Sequence, residues 1–211
     1  MGKKYNDDDL ELREPGTVEA LYHAAMERAR WLREDFPASK FVGIDPGKTG
    51  GIVLLDAERS VMARYTFSRV SPGFAIWSCD DRYNLREATD VLVEEVHSMP
   101  KQGVKSMFSF GQAYGEILGA LQTRKIPYRG VNPLRWQTSF RRALREPDED
   151  GRFNREKKED RKERLYQVAK LLFPDQKMSK QMADAFLIAH WAWGGGTDQS
   201  VMGKSIPVSM T

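Results

Sequence analysis

Two hundred and eleven residues, 40% apolar and 30% charged, suffice for one domain with a real core and exclude a chain disordered throughout. The most apolar run, Ala183 to Trp193, is broken by Asp184 and His190 and falls short of the roughly 20 residues of a membrane span. The start of the chain, with Asp7, Asp8 and Asp9, lacks the character of a signal or transit peptide, so a cytoplasmic chain with no membrane partner is expected.

The net charge of +3 is unevenly spread: Val96 to Arg145 holds nine bases against one acid, whereas the first 35 residues hold nine acids against six bases. A basic middle between more acidic ends fits a polyanionic partner, although a solvated surface carries charge too. Cys79 is the only cysteine, which rules out an internal disulfide and a cysteine-rich zinc site.

From the N-terminus, Thr17 to Glu34 sets Val18, Leu21, Tyr22, Ala25, Ala29 and Leu32 on one face, an amphipathic helix isolated by Pro15-Gly16 and Pro37. Residues 1–39 therefore read as an appended acidic, helical arm. Lys40–Ile44 and Gly51–Asp56 are short β-prone runs about a Gly-rich turn, a hairpin to which Val61–Val70 adds a third antiparallel strand. Leu85–Leu92 reads as helical and runs into a strand over Val91–Val96. The small and apolar residues of Phe110–Gln122 predict a helix, and Pro127–Val131 another strand. Arg141–Arg164 holds ten bases and eight acids with almost nothing apolar, so its first half reads as a loop. From Glu156 the pattern turns helical, with Leu165, Val168, Ala169 and Leu172 on one face. A last helix is expected over about Lys180–Trp193, stopped by Gly194-Gly195-Gly196, and 197–211 reads as a tail. Hairpins followed by alternating helices and strands indicate an α/β sandwich, with the main domain over 40–196.

Three acids interrupt this apolar framework. Asp45 ends a strand just before Pro-Gly, good placement for a metal ligand and equally ordinary turn chemistry. Glu94 closes the apolar run Val91-Leu92-Val93, where a carboxylate is costly unless paired or metal-bound, with Glu95 on the opposite face. Asp184 sits in the first turn of the most apolar helix, where the helix dipole also favours an acid. Oxygen donors without histidine or cysteine favour Mg2+ or Mn2+ over zinc. Gly47-Lys48-Thr49 ends like a phosphate loop, but Gly43 precedes Gly47 by three intervening residues where that loop needs four.

In order, Phe41-Val-Gly-Ile-Asp45-Pro-Gly, Val93-Glu94-Glu-Val-His97-Ser-Met-Pro, Phe108-Ser-Phe-Gly-Gln-Ala-Tyr-Gly115, Val131-Asn-Pro-Leu-Arg-Trp136 and Ala183-Asp184-Ala-Phe-Leu-Ile-Ala-His190 resemble the motifs of RuvC-like Holliday junction resolvases, particularly their bacteriophage and organellar relatives. The resemblance spans about Phe41 to Trp193. It implies an RNase H-like fold, a mixed five-stranded sheet flanked by helices. It also implies metal-dependent, symmetrical nicking of four-way or branched DNA by a homodimer. On the same resemblance Asp45, Glu94 and Asp184 would be catalytic metal ligands for two Mg2+ or Mn2+ ions. Relatives carry a further metal-site side chain, commonly acidic, one turn before the last acid. Here Lys180 and Gln181 stand there: Gln181 offers a neutral amide oxygen, Asp175 could lend a carboxylate, and Lys180 could neutralise charge developing on the phosphate.

DNA contacts are expected from Lys101, Lys105, Arg135, Arg141 and Arg142, and from His97, Phe108 and Phe110 in a loop that could insert at unstacked bases or anchor to the core. The helix carrying Gly111, Ala113, Gly115, Gly119 and Ala120 is a candidate dimer contact, or simply packs on its own sheet. Two rival readings are a non-catalytic junction binder with a degraded metal site and an actin-like or sugar-kinase-like ATPase suggested by Asp45-Pro-Gly-Lys-Thr-Gly. The latter folds need two such domains and a longer chain.

Overall fold

The computed structural model describes residues 39–95, 103–141, 143–145, 149, 152, 154 and 156–195. The expected N-terminal arm before residue 39 and the tail from 197 lie outside the described residues.

Strands β1 (Phe41–Asp45), β2 (Gly51–Leu55) and β3 (Val61–Thr66) form an antiparallel meander, and β4 (Asp90–Glu94) and β5 (Arg129–Val131) extend it in parallel from the other edge of β1. The resulting five-stranded order is β3-β2-β1-β4-β5. This is the α/β arrangement expected, a mixed five-stranded sheet flanked by helices. The meander follows from the turn at Gly47–Gly50, where the Gly50 N–H bonds the Gly47 carbonyl at 2.8 Å. The parallel strands each require a crossover helix to return the chain.

Alternation along β1 sorts the core into two layers. Val42 and Ile44 face α1 (Pro72–Tyr83) and α2 (Val104–Thr123), joined by Ile52, Leu54, Val91, Val93, Ile76, Ile117 and Leu121. Phe41, Val53, Leu55 and Leu92 face the other way, toward α3 (Pro133–Ser139), α4 (Lys158–Leu172) and α5 (Ala183–Trp193). Every residue of α5 except Asp184 is buried, because this helix lies directly on the sheet. Each fully buried Leu, Ile or Phe there contributes about 1.5–3 kcal/mol. Its far end is tied down by Trp193, whose indole N–H donates to the Ala57 carbonyl at 2.9 Å in the β2–β3 turn.

Several boundaries differ from the sequence reading. Helix α1 was not anticipated; Ser71 caps it by accepting from the Phe74 N–H, Pro72 opens it, and Asn84 ends it in a left-handed conformation. Buried Asp80 on α1 accepts the Leu85 N–H at 2.9 Å and pairs with Arg124 beyond the end of α2. The expected helix over Leu85–Leu92 shrinks to a single 3-10 turn, Leu85–Glu87. Helix α2 begins at Val104, ahead of the predicted Phe110, and α3 is a further addition, capped by Asn132 and opened by Pro133. The last helix starts at Ala183 instead of Lys180. Cys79, the only cysteine of the sequence, is buried in the core. Among the described residues no helix is long and apolar enough to cross a membrane.

Candidate active site

The β1–β4 register pairs Ile44 with Val93, so the next residues, Asp45 and Glu94, finish adjacent parallel strands at one level. Both continue the strand face occupied by Phe41 and Leu92, the face covered by α5. On that face Gly43 permits an unusually close approach. A Cβ at Gly43 would collide with the backbone of Ala185 and Ala189, so the helix rests backbone to backbone on β1. Asp184, adjacent to Ala185, is thereby carried to the end of the strands.

Asp45 is held by its own turn. Its carboxylate accepts the Gly47 N–H at 2.9 Å, and a side chain at Gly50 would occupy the same space as that carboxylate. Met182, just before α5, covers Gly51 on the neighbouring strand.

The electrostatics tie the three acids together. Burial pushes Asp45 up to about 6 against the opposing Gly47 hydrogen bond. Burial and then the negative charge of Asp45 push Asp184 up to about 7. Glu94 rises furthest, to about 9, through burial and then repulsion from Asp45 and Asp184. Three carboxylates that resist ionising together constitute a demand for cations. The Trp136 indole N–H favours the charged form of Glu94 slightly but reaches hydrogen-bonding geometry with no partner. The all-oxygen donor set suits a hard divalent ion. Among the described residues, however, no three Asp, Glu, His or Cys side chains are gathered closely enough to form a ready metal-holding group.

The positive charge near these acids comes from a residue the sequence reading missed. Lys162 on α4 favours the ionised form of Asp45, Glu94 and Asp184, and Arg161 does the same for Asp184. Their surroundings in sequence are an unbroken charged run, so only the packing of α4 beside α5 singles them out.

Other expected site residues fare differently. Lys180 is directed away: its ammonium pairs with Glu163 on α4 and lies 5.9 Å from the Tyr166 ring centre. Gln181 is exposed in the turn that precedes α5, so it does not share a helix face with Asp184. Asp175 is likewise exposed in the turn after α4. Phe108 and Phe110 belong to α2, not to an insertion loop; Phe108 is 66% exposed on that helix. Lys105 falls within α2, and Arg135 and Arg141 are exposed on and just after α3. His97, Lys101 and Arg142 lie outside the described residues. Within the basic stretch, Arg124 is committed to Asp80 and Arg129 to Asp90, so part of that charge is structural.

No family model matches the chain, and no curated protein matches it. Among solved structures, it is similar to RuvC of T. thermophilus in complex with a Holliday junction substrate, with 16% identity, a TM-score of 0.47, and coverage of 75% of this chain and 95% of that one. A second structure of Thermus thermophilus RuvC aligns at 17% identity with a TM-score of 0.44, covering 74% and 95% respectively.

Proposed function

We propose that this chain is a divalent-metal-dependent endonuclease that resolves four-way or branched DNA junctions, as the RuvC-like motifs imply. The observation that supports the reading is that Asp45 and Glu94 end adjacent strands at one level, with Asp184 near enough for the charges of the three to repel one another. Asp45, Glu94 and Asp184 would hold Mg2+ or Mn2+, two ions per site, which supply an activated water and stabilise the leaving 3′ oxygen.

The protein's own contribution is positional and electrostatic. The Gly47 N–H fixes the Asp45 carboxylate, and the backbone contact at Gly43 sets the height of Asp184. Lys162 and Arg161 place positive charge beside the acids, where a phosphodiester gains negative charge during hydrolysis. In this reading Lys162 takes the part first assigned to Lys180. Arg135 and Arg141 extend the basic surface beyond the site, with Lys101, Lys105, His97 and Arg142 in the same stretch of sequence.

Symmetrical nicking calls for two copies of the site, hence a homodimer. The outer face of α2 supports this, because Gly111, Gly115 and Gly119 each look onto open space and Phe108 is exposed on the same helix.

The second reading, a junction-binding protein without cleavage, is favoured by one observation: the turn at Lys180 and Gln181 supplies no carboxylate to the three acids. The two readings are separated by incubating a synthetic four-way junction with the chain in Mg2+ and in EDTA, beside linear duplex and Asp45→Asn. The nuclease reading expects paired nicks in the junction in Mg2+ alone, absent in the variant. Tight binding without nicks supports the second reading, and equal cutting of duplex makes the chain a general nuclease.

A further inference from the structure

A cleft of about 600 Å³ opens between α3, the segment that follows it and the start of α4. It is a different place from the acidic centre, yet it shares a wall with it. Among the described residues, five bases line it against one acid, Glu156. That acid is already spent, since Arg164 binds both its oxygens, at 2.7 and 2.9 Å. The same Arg164 donates to the Phe140 carbonyl at 2.6 Å, so the wall is built around a satisfied, partly buried ion pair. Arg141, Lys158 and Arg161 bring further positive charge to the opening, while Arg145 donates to the Asn154 carbonyl. The first-turn acids of α4, Glu159 and Asp160, do not line it.

The spacing along α4 gives this charge a direction. Lys158, Arg161 and Lys162 stand at i, i+3 and i+4, one stripe of the helix surface. Lys158 and Arg161 border the cleft, while Arg161 acts on Asp184 and Lys162 on all three acids. From Lys158 to Lys162 the helix rises about 6 Å, on the order of the step between neighbouring phosphates of one strand. A cleft of this size admits a nucleotide or two of a single strand and not a duplex. Leu134, 69% exposed at its edge, offers an apolar surface for a sugar or base.

We propose that this cleft is a phosphate subsite, which seats the backbone of the cleaved DNA strand one phosphate away from the scissile bond and hands it along α4 to the acids. The proposal rests on the nucleic-acid reading of the acidic site, but it is tested without catalysis. The full chain is titrated with a labelled four-way junction and a labelled single strand in EDTA, at salt concentrations from about 50 to 200 mM. Arg141→Gln/Lys158→Gln is compared with Arg69→Gln/Arg82→Gln, which removes two exposed charges elsewhere, and thermal melts check that each variant is folded. Lys158→Gln alone, at an exposed first-turn position, serves if the double variant is not.

The slope of log affinity against log salt should fall by about 0.7–0.9 for each cleft cation removed, on both DNAs, and stay unchanged in the control. An unchanged slope in the cleft variants, with the unaltered chain still binding junctions, overturns the subsite and leaves the nuclease reading standing. A reduced slope in a chain that neither prefers junctions nor nicks them supports the phosphate seat while the junction-resolving reading falls.

Discussion

Asp45 and Glu94 end neighbouring parallel strands at one level and on one face, so two carboxylates share the site before Asp184 is added from α5. Their repulsion is a cost that the fold carries for the site. Asp45→Asn, Glu94→Gln and Asp184→Asn should each lower junction nicking by at least about 100-fold, roughly 3 kcal/mol of transition-state stabilisation. In EDTA at pH 8 the same variants should melt at higher temperature than the parent chain, because each removes a carboxyl group whose ionisation is opposed by burial in the fold. Differential scanning fluorimetry and a gel-based nicking assay give the two readouts, and a variant that loses both activity and stability would contradict the assignment.

The pH dependence has a definite sign. Asp45, Asp184 and Glu94 are raised to about 6, 7 and 9, so the folded chain retains protons that the unfolded chain has released above about 4. Stability without metal should therefore fall as pH rises from 6.5 to 9. Below that window His190 works in the opposite sense. Burial and then Arg59 press it down to about 3, so its contribution is present above about 6.5 and is lost as pH falls toward 3. Thermal melts in EDTA between pH 6.5 and 9 should decline, and both Mg2+ and Glu94→Gln should flatten the decline. A rising melt across this window would be the contrary result.

Two lysines should separate cleanly. Lys162→Gln removes positive charge felt by all three acids, and a loss of about tenfold in nicking is expected. Lys180→Gln breaks only the exposed pair with Glu163, so nicking should stay within about twofold. Initial rates at saturating Mg2+ measure both, and a reversed order would return the catalytic role to Lys180.

Gly43 is the position with least room. Gly43→Ala places a methyl group against the Ala185 and Ala189 backbone, lifting α5 from β1, and should cost about 2–4 kcal/mol in urea unfolding. Gly50→Ala presses on the Asp45 backbone carbonyl as well as its carboxylate, so of the two substitutions it should impair nicking the more. Equal effects of the two substitutions on both readouts would remove the distinction.

The outer face of α2 is tested with one glycine. Gly115→Ala meets open space and should stabilise the helix by about 0.5–1 kcal/mol. Gly115→Leu also fits the isolated chain, but it should shift a dimer toward monomer by light scattering and reduce coordinated double nicking. A dimer unaffected by Leu there would place the contact elsewhere.

The hairpin, the strand acids and the apolar last helix were legible because their signals are local: β1 and β2 are short apolar runs about a Gly-rich turn, and Asp45, Glu94 and Asp184 each break an apolar run. Helix α1 was missed because Pro72–Tyr83 mixes exposed Phe74 and Trp77 with buried Asp80, which inverts the usual pattern. Its start was nevertheless written in Ser71-Pro72. The early turns of α2 were hidden by Phe108 and Phe110, which read as residues of an inserting or anchoring loop. Lys162 could not be found at all from spacing, since its nearness to the acids arises from how α4 packs beside α5. The same is true of the cleft, whose walls come from separate segments.

The indole of Trp193 pins the far end of α5 to the β2–β3 turn, and Gly43 receives the middle of the helix without an intervening side chain. A rod fastened at its tail and seated along its length can neither slide nor roll. Accommodation of an arriving ion by Asp184 must then come from its own rotamer or from the short hinge of Ser179 to Met182, where the Met182 N–H bonds the Ser179 carbonyl at 3.0 Å. The compliance of the centre is thus confined to one corner, and stiffening that hinge would tune ion affinity while leaving the scaffold untouched.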